Sequence, residues 1–181
     1  MTRQLTPPVG PDDHVAGRDD APATLVEFGD YECPHCAAAF PVVEAARARL
    51  GDRLRFVYRH FPLVEVHPHA IRAAEAAEAA GAQGKFWEMH RLLFRHQTML
   101  EDADLVRYAA SLGMDVGRFA DELARRTHVL RVRRNVMSGA DSGVQGTPTF
   151  FVNGVRYDGP WHDPALFVAA LETVAEGVAV L

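Results

Sequence analysis

The chain has 181 residues, 48% of them hydrophobic and 24% charged, with a formal net charge of −5. That length fits one domain with a substantial core. The negative balance and the lack of a long basic run argue against nucleic acid as a partner, and no apolar stretch approaches the roughly 20 residues of a transmembrane helix.

The N-terminus, MTRQLTPPVGPDDHVAGRDDAP, lacks the apolar core of a secretory signal. A cytoplasmic location is the expectation, or a periplasmic one if a signal peptide has been removed. Residues 1–23 read as a Pro/Asp-rich arm. TLVEFGDY, residues 24–31, reads as a buried strand, apolar apart from one inner carboxylate at Glu27. From Pro34 the pattern turns helical, with Phe40, Val43 and Leu50 near one face and Gly51 as a stop. Pro41 lies inside this helix and is expected to kink it. RLRFVYRHF, residues 53–61, alternates enough for a second strand. Residues 24–61 thus form a strand–helix–strand unit of the kind that joins parallel strands.

Residues 67–139 are almost wholly helical in pattern. HPHAIRAAEAAEAAGAQG gives a helix ending near Gly81, and GKFWEMHRLLFRHQ a second, with Phe86, Met89, Leu93 and His90 on or beside its apolar stripe. ADLVRYAASLGM and DVGRFADELARR give two short helices, and THVLRVRRNVMSGADSGV a last one that enters a Gly-rich loop. The block 64–140 reads as an all-helical insertion into a core made of residues 24–63 and 141–181. TPTFFV (147–152) and VRYDG (155–159) flank Asn153-Gly154, a two-residue hairpin turn. HDPALFVAALETVAEG closes the chain as a helix, with Asp163 as N-cap and Pro164 at its first position. The order is β-α-β, helices, β-β-α: an α/β chain.

Both cysteines lie in YECPHC, at Cys33 and Cys36, where a strand gives way to a helix. Unpaired N–H groups and the helix dipole favour negative charge there, so Cys33 is expected to be more acidic than a free thiol. His35 adds a donor beside the same sulfur, and Pro34 suits a first helical turn because its missing N–H is not needed. Cys36, one turn on, could close a reversible disulfide, with Cys33 as the exposed nucleophile and Cys36 as the buried resolving thiol. Two alternatives stand beside this. A zinc site needs four ligands, and only one CxxC is present, with HPH at 67–69 the one close pair among nine histidines. An inert structural pair is the other, although a bridge this short constrains the unfolded chain little.

GTPTF, residues 146–150, opens a strand with Thr147-Pro148. A proline there permits a cis peptide bond, which would turn the Thr147 backbone toward the top of the first helix and leave its N–H and C=O to pair with an extended peptide. An ordinary edge-strand proline is the alternative.

LVEFGDYECPHC, YRHFPL, GKFWEMHRLLF and GTPTFFVNG together resemble the DsbA-like thioredoxin-fold proteins, in particular a bacterial branch that often lacks a leader. Some members of that branch stand alone and others are fused to ion-antiporter chains. The resemblance spans residues 9–175. It implies a thioredoxin fold with an inserted helical subdomain, and thiol–disulfide exchange. Cys33 matches the attacking and Cys36 the resolving cysteine. Pro34 and His35 match the dipeptide that tunes redox potential, and Pro148 matches the cis-proline, with Thr147 before it. Glu27, six residues ahead of Cys33, matches an acidic position beneath the active site. Read from the residues alone, Glu27 either points to solvent at a strand edge or is buried and relays a proton to or from Cys36 through water, with Asp30 as its rival. Two departures matter. Pro41 is more like the helix proline of thioredoxin than that of periplasmic DsbA. Glu32 places a negative charge next to Cys33, so the strongly oxidising character of periplasmic DsbA is not expected.

His60, His67, His69 and His90 read as packing or capping residues, Trp87 as core, and Arg125, Arg126, Arg131, Arg133 and Arg134 as a solvated helix face. The expected activity is dithiol–disulfide exchange with protein, peptide or small-thiol substrates. Glutathione or a thioredoxin-type protein would recycle it, with no metal and no organic cofactor. A redox-sensing or docking module partnering a membrane transporter is the alternative. A glutathione-using isomerase or transferase is disfavoured by the intact Cys36.

Overall fold

The computed structural model describes residues 4–177, so the first three residues of the expected arm and the last four of the expected core lie outside it. In chain order it runs β1 (His14–Ala16), β2 (Ala23–Gly29), α1 (Pro34–Leu50), β3 (Leu54–His60), α2 (Ala70–Gly81), α3 (Phe86–Arg95), α4 (Asp102–Ser111), α5 (Val116–Ala124), α6 (Val129–Asp141), β4 (Thr149–Val152), β5 (Val155–Tyr157) and α7 (Pro164–Ala175). Among the described residues no helix is long and apolar enough to cross a membrane.

The chain clusters into two compact units. One gathers the described residues of Met1–Gly29, Ala38–Arg59 and Ser138–Leu181; the other gathers Asp30–Ala37 and His60–Met137. The CPHC turn therefore belongs with the helices by its contacts.

The first unit is built on a five-stranded sheet in the order β1-β3-β2-β4-β5. β1 runs antiparallel to β3, β4 antiparallel to β2, and β5 antiparallel to β4. β2 is buried along nearly its whole length, which explains its almost unbroken apolar run. Phe28 and Phe151 meet edge to face, and Phe150 packs on Phe167 of α7, so aromatic side chains fill the core on both sides of β2 and β4. Asn153 and Gly154 both have positive φ, 47° and 81°, as the hairpin reading requires. Asn153 also accepts the Thr24 N–H and donates to Pro22 O, tying the hairpin to the start of β2. Asp163 caps α7 as expected, with Oδ1 accepting from Ala165 and Leu166 N–H and Pro164 following it.

The N-terminal segment departs from its reading as a plain arm. His14–Ala16 adds an edge strand opposite Tyr58, Val57 and Phe56. Leu5 N–H donates to Gly154 O and Thr6 N–H to Ser142 Oγ. Buried Arg59 then holds the segment from within: its fork meets both oxygens of Asp13 at 2.8 Å, and it also donates to Pro7 O, Pro8 O and Ser138 Oγ. A three-residue strand is too short to show alternation, so composition alone spoke for a loop there.

The second unit is helical. α2 is alanine-rich, and Ala73, Ala76, Ala77 and Ala80 are fully buried, which lets α3 and α5 approach it closely. Met89, Leu93, Leu105 and Phe119 complete the core. Two carboxylates of α2 are buried with them. Glu78 pairs with His60 Nε2 at 3.0 Å and Arg131 at 2.5 Å, and Glu75 pairs with Arg126 at 2.5 Å. Of the arginines read as a solvated face, Arg125, Arg126, Arg133 and Arg134 are exposed, but Arg126 and half-buried Arg131 also pair with buried acids.

Candidate active site

β2 ends at Gly29 rather than at Tyr31, because Asp30 turns the chain. Its Oδ1 accepts the Glu32 N–H at 2.8 Å, an Asx turn. Its carbonyl then accepts the Cys33 N–H, and the Cys33 carbonyl accepts the Ala37 N–H as the first bond of α1. With α1 starting at Pro34, Cys33 occupies the N-cap position, where the free N–H groups of the helix end favour a negative neighbour. Cys36 lies one turn on, and its Sγ receives the Asp30 backbone N–H at 3.4 Å.

The exposure of the motif differs from its reading. Cys33 is buried, at 3%, as is Cys36 at 0%. The exposed residues are Pro34 and His35 between them. The turn that makes Cys33 an N-cap directs the two residues after it outward, and its carbonyl is engaged by Gln97 as well as by Ala37.

Three side chains fix this turn. Asp30, whose side chain has no exposed surface, receives at Oδ2 the Leu63 N–H at 2.9 Å and His67 Nδ1 at 2.7 Å. Glu32 receives the His69 N–H at 2.7 Å and His69 Nδ1 at 2.8 Å, and His69 Nε2 reaches Glu101 at 3.1 Å. Gln97 Nε2 donates to the carbonyls of Tyr31 and Cys33. The Tyr31 hydroxyl pairs with His90 Nδ1 at 3.0 Å, and its ring packs against Phe94 and His60. His69 is held more basic than a free imidazole, chiefly by its hydrogen bond to Glu32, with Glu101 adding to it. A cation on His69 in turn offsets the Glu32 charge beside Cys33.

The structure thus brings Cys33, Pro34, His35 and Cys36 together on one turn. Glu27, Thr147 and Pro148 belong to the sheet unit. Glu27 is buried within β2 opposite Phe150, so a solvent-facing carboxylate is ruled out. The Thr147–Pro148 bond is cis, the first of the two backbone states weighed for it. His67 and His69, read as structural, grip the two acids that flank Tyr31. The signal available was the HPH cluster, noted only as a weak metal candidate. Nothing in the sequence marked Gln97.

Residues 10–172 match the thioredoxin family. The chain belongs to that family. Among solved structures, a thioredoxin-like oxidoreductase from Silicibacter pomeroyi is 26% identical, with a TM-score of 0.79 over 94% of this chain and 95% of its own. A variant of α-DsbA1 from Wolbachia pipientis shares the fold at 18% identity, with a TM-score of 0.79 over 98% of this chain and 97% of its own. The thioredoxin-family fold here is that of the DsbA-like oxidoreductases. In sequence the chain is also similar to part of the Na+/H+ antiporter NhaA 3 of Salinispora tropica, at 51% identity over 174 residues, 94% of this chain and 26% of that one. The chain spans about a quarter of the length of the curated relatives it matches.

Proposed function

We propose that the chain exchanges disulfides with protein thiols through Cys33 and Cys36. The observation that carries this is the turn itself: Cys33 caps α1, and Cys36, one turn on, has its sulfur bonded to the Asp30 N–H. In the reductive direction the Cys33 thiolate attacks a substrate disulfide and forms a mixed disulfide. Cys36 then attacks the Cys33 sulfur, closes the intramolecular bond and releases the substrate thiol. The reverse sequence oxidises a dithiol. Pro34 and His35 set the potential of the couple. Glu27, Thr147 and Pro148 are supporting residues by family resemblance, each to be tested by substitution in the same assay. Glutathione or a thioredoxin-type protein recycles the couple.

The test is a redox titration against glutathione buffers followed by thiol labelling. One reversible two-thiol transition is expected, lost in Cys33→Ser. A potential of about −120 to −180 mV would make the protein an oxidase or isomerase, and one of about −270 mV a reductant. Absence of any two-thiol transition would sink the proposal. In cells, Cys36→Ser is expected to trap mixed disulfides with protein partners.

The similarity to a stretch of an antiporter chain favours a second reading, a redox-sensing or docking module that partners a membrane transporter and turns over little. Loss of ion tolerance without a general thiol defect on deletion would select it.

A further inference from the structure

Glu32 directly precedes Cys33, and its carboxylate is gripped at two points by one residue. Its Oε2 accepts the His69 backbone N–H at 2.7 Å, and its Oε1 meets His69 Nδ1 at 2.8 Å. The other ring nitrogen, Nε2, lies 3.1 Å from Glu101 Oε1. A carboxylate oxygen only accepts, and a neutral imidazole has one N–H to give. Both contacts are hydrogen bonds only when the ring is an imidazolium. The two ends differ in wetness: the Glu32 side chain is 18% exposed and that of Glu101 74%. Loss of the proton therefore falls at Nε2, where water can replace the ring. Nδ1–H then stays with Glu32, but without a positive charge behind it.

The neighbouring charges are engaged elsewhere. Arg72, three residues on, is held by Asp102, Glu75 and the Leu123 carbonyl. His67 is committed to Asp30, and Asp104 meets Arg107 and the Glu101 N–H. His35, two residues beyond Cys33, is exposed.

From this geometry we infer that His69 is the positioning residue that sets the charge beside Cys33: clamped between Glu32 and Glu101 as an imidazolium, it offsets the Glu32 carboxylate, and its deprotonation ties the reactivity and potential of the cysteine pair to pH. The inference rests on the disulfide exchange proposed above and names its regulation. In the oxidising direction Cys33 is the leaving group of the last step. The second substrate thiolate attacks the first substrate sulfur, the bond to Cys33 Sγ breaks, and its electron pair stays on Cys33 as a thiolate. The substrate dithiol loses two electrons, and the two cysteines of the protein gain them. An offset Glu32 favours that thiolate and with it the reduced protein; an uncompensated one disfavours both. Linkage makes the effect reciprocal, so a thiolate at Cys33 strengthens the hold of His69 on its proton.

The test isolates Cys33 in a Cys36→Ala background of the full chain and follows its alkylation by iodoacetamide across pH. His69→Gln is expected to raise the pH midpoint, and to slow alkylation below it by about threefold or more, the scale of one unit charge in a partly solvated site. His69→Arg keeps a charge at every pH and is expected to leave the midpoint no higher than that of its parent. An unmoved midpoint in His69→Gln would overturn the inference. So would a rise in His69→Arg as large as that in His69→Gln, which is what a purely structural imidazole gives. A second readout leaves His69 in place. Its imidazole titration, followed by NMR, is expected at higher pH in the Cys36→Ala protein than in Cys33→Ser/Cys36→Ala, where residue 33 carries no charge. Coincident curves would again overturn it. In the glutathione titration with both cysteines present, His69→Gln is expected to be less oxidising than wild type on the acid side, with the difference fading as pH rises. If that titration shows no two-thiol transition while the alkylation and NMR shifts appear, the exchange reading fails and takes the potential with it. If the transition appears without those shifts, only the role of His69 fails.

Discussion

The backbone N–H of Asp30 donates to Cys36 Sγ at 3.4 Å, while the carboxylate of the same residue receives Glu32 N–H, Leu63 N–H and His67. One residue therefore sets the environment of the Cys36 sulfur and pins the neighbouring loop. Asp30→Ala removes an acceptor from three buried or half-buried donors. At about 1–3 kcal/mol for a donor left unsatisfied, a loss of roughly 3 kcal/mol is expected in urea denaturation. It should also slow the second step of exchange, so that mixed disulfide accumulates in rapid-quench samples of the otherwise wild-type protein. Unchanged stability would show that water replaces the carboxylate.

His69 links stability to pH with a definite sign. Its pKa is raised from 6.5 by Glu32 and Glu101, so the folded protein holds this proton more tightly than the unfolded chain does. The stabilisation is fully present below about pH 6.5 and fades as pH rises through the folded value, until Glu32 and Glu101 themselves protonate at low pH. The difference in urea midpoint between wild type and His69→Gln should therefore be largest near pH 6 and shrink at alkaline pH. The imidazole is more than a third exposed, so the effect will be modest. A difference that grew with pH would contradict the assignment.

Arg59 and Asp13 form a two-pronged ion pair in which the arginine is almost wholly buried. Asp13→Ala leaves that guanidinium without its carboxylate, at an expected cost of about 3–5 kcal/mol. Arg59→Lys should fare poorly too, since one ammonium cannot reproduce the fork that also serves Pro7, Pro8 and Ser138. Hydrogen exchange should then rise first across β1.

Asp163→Ala is the control of known size. It removes the cap that two α7 N–H groups share and should cost about 1 kcal/mol, with Asp163→Ser close to neutral. Thermal or chemical unfolding would read both.

The sequence was most legible where one residue type has one structural use. Asn153-Gly154 made the hairpin, and Asp163-Pro164 began α7. The alanine periodicity of α2 and the apolar run of β2 each had one plausible fold. CPHC at a strand-to-helix junction marked the turn that carries both cysteines. The partners of that turn were harder to see. Asp30, Glu32, His67 and His69 pair across more than thirty residues, and a hydrogen bond at that separation leaves no periodic trace. Gln97 is an unremarkable polar residue until its amide is seen between two carbonyls. β1 escaped because three residues of edge strand depend on β3 for their conformation. Burial of Cys33 could not be read from spacing, which fixes neighbours along the helix and says nothing of what covers them.

Both sulfurs are hidden while Pro34 and His35 between them stand in solvent. A small oxidant such as peroxide meets peptide and imidazole before it meets thiol. When one sulfur does become a sulfenic acid, a second thiol waits one helical turn away, and the pair condenses to a disulfide with loss of water. The slower climb to sulfinic acid, which would end the working life of a solitary cysteine, loses that race. If the pair exchanges disulfides as proposed, oxidative stress returns it to the disulfide state of that exchange, and a thiol that reduces the disulfide also repairs the damage.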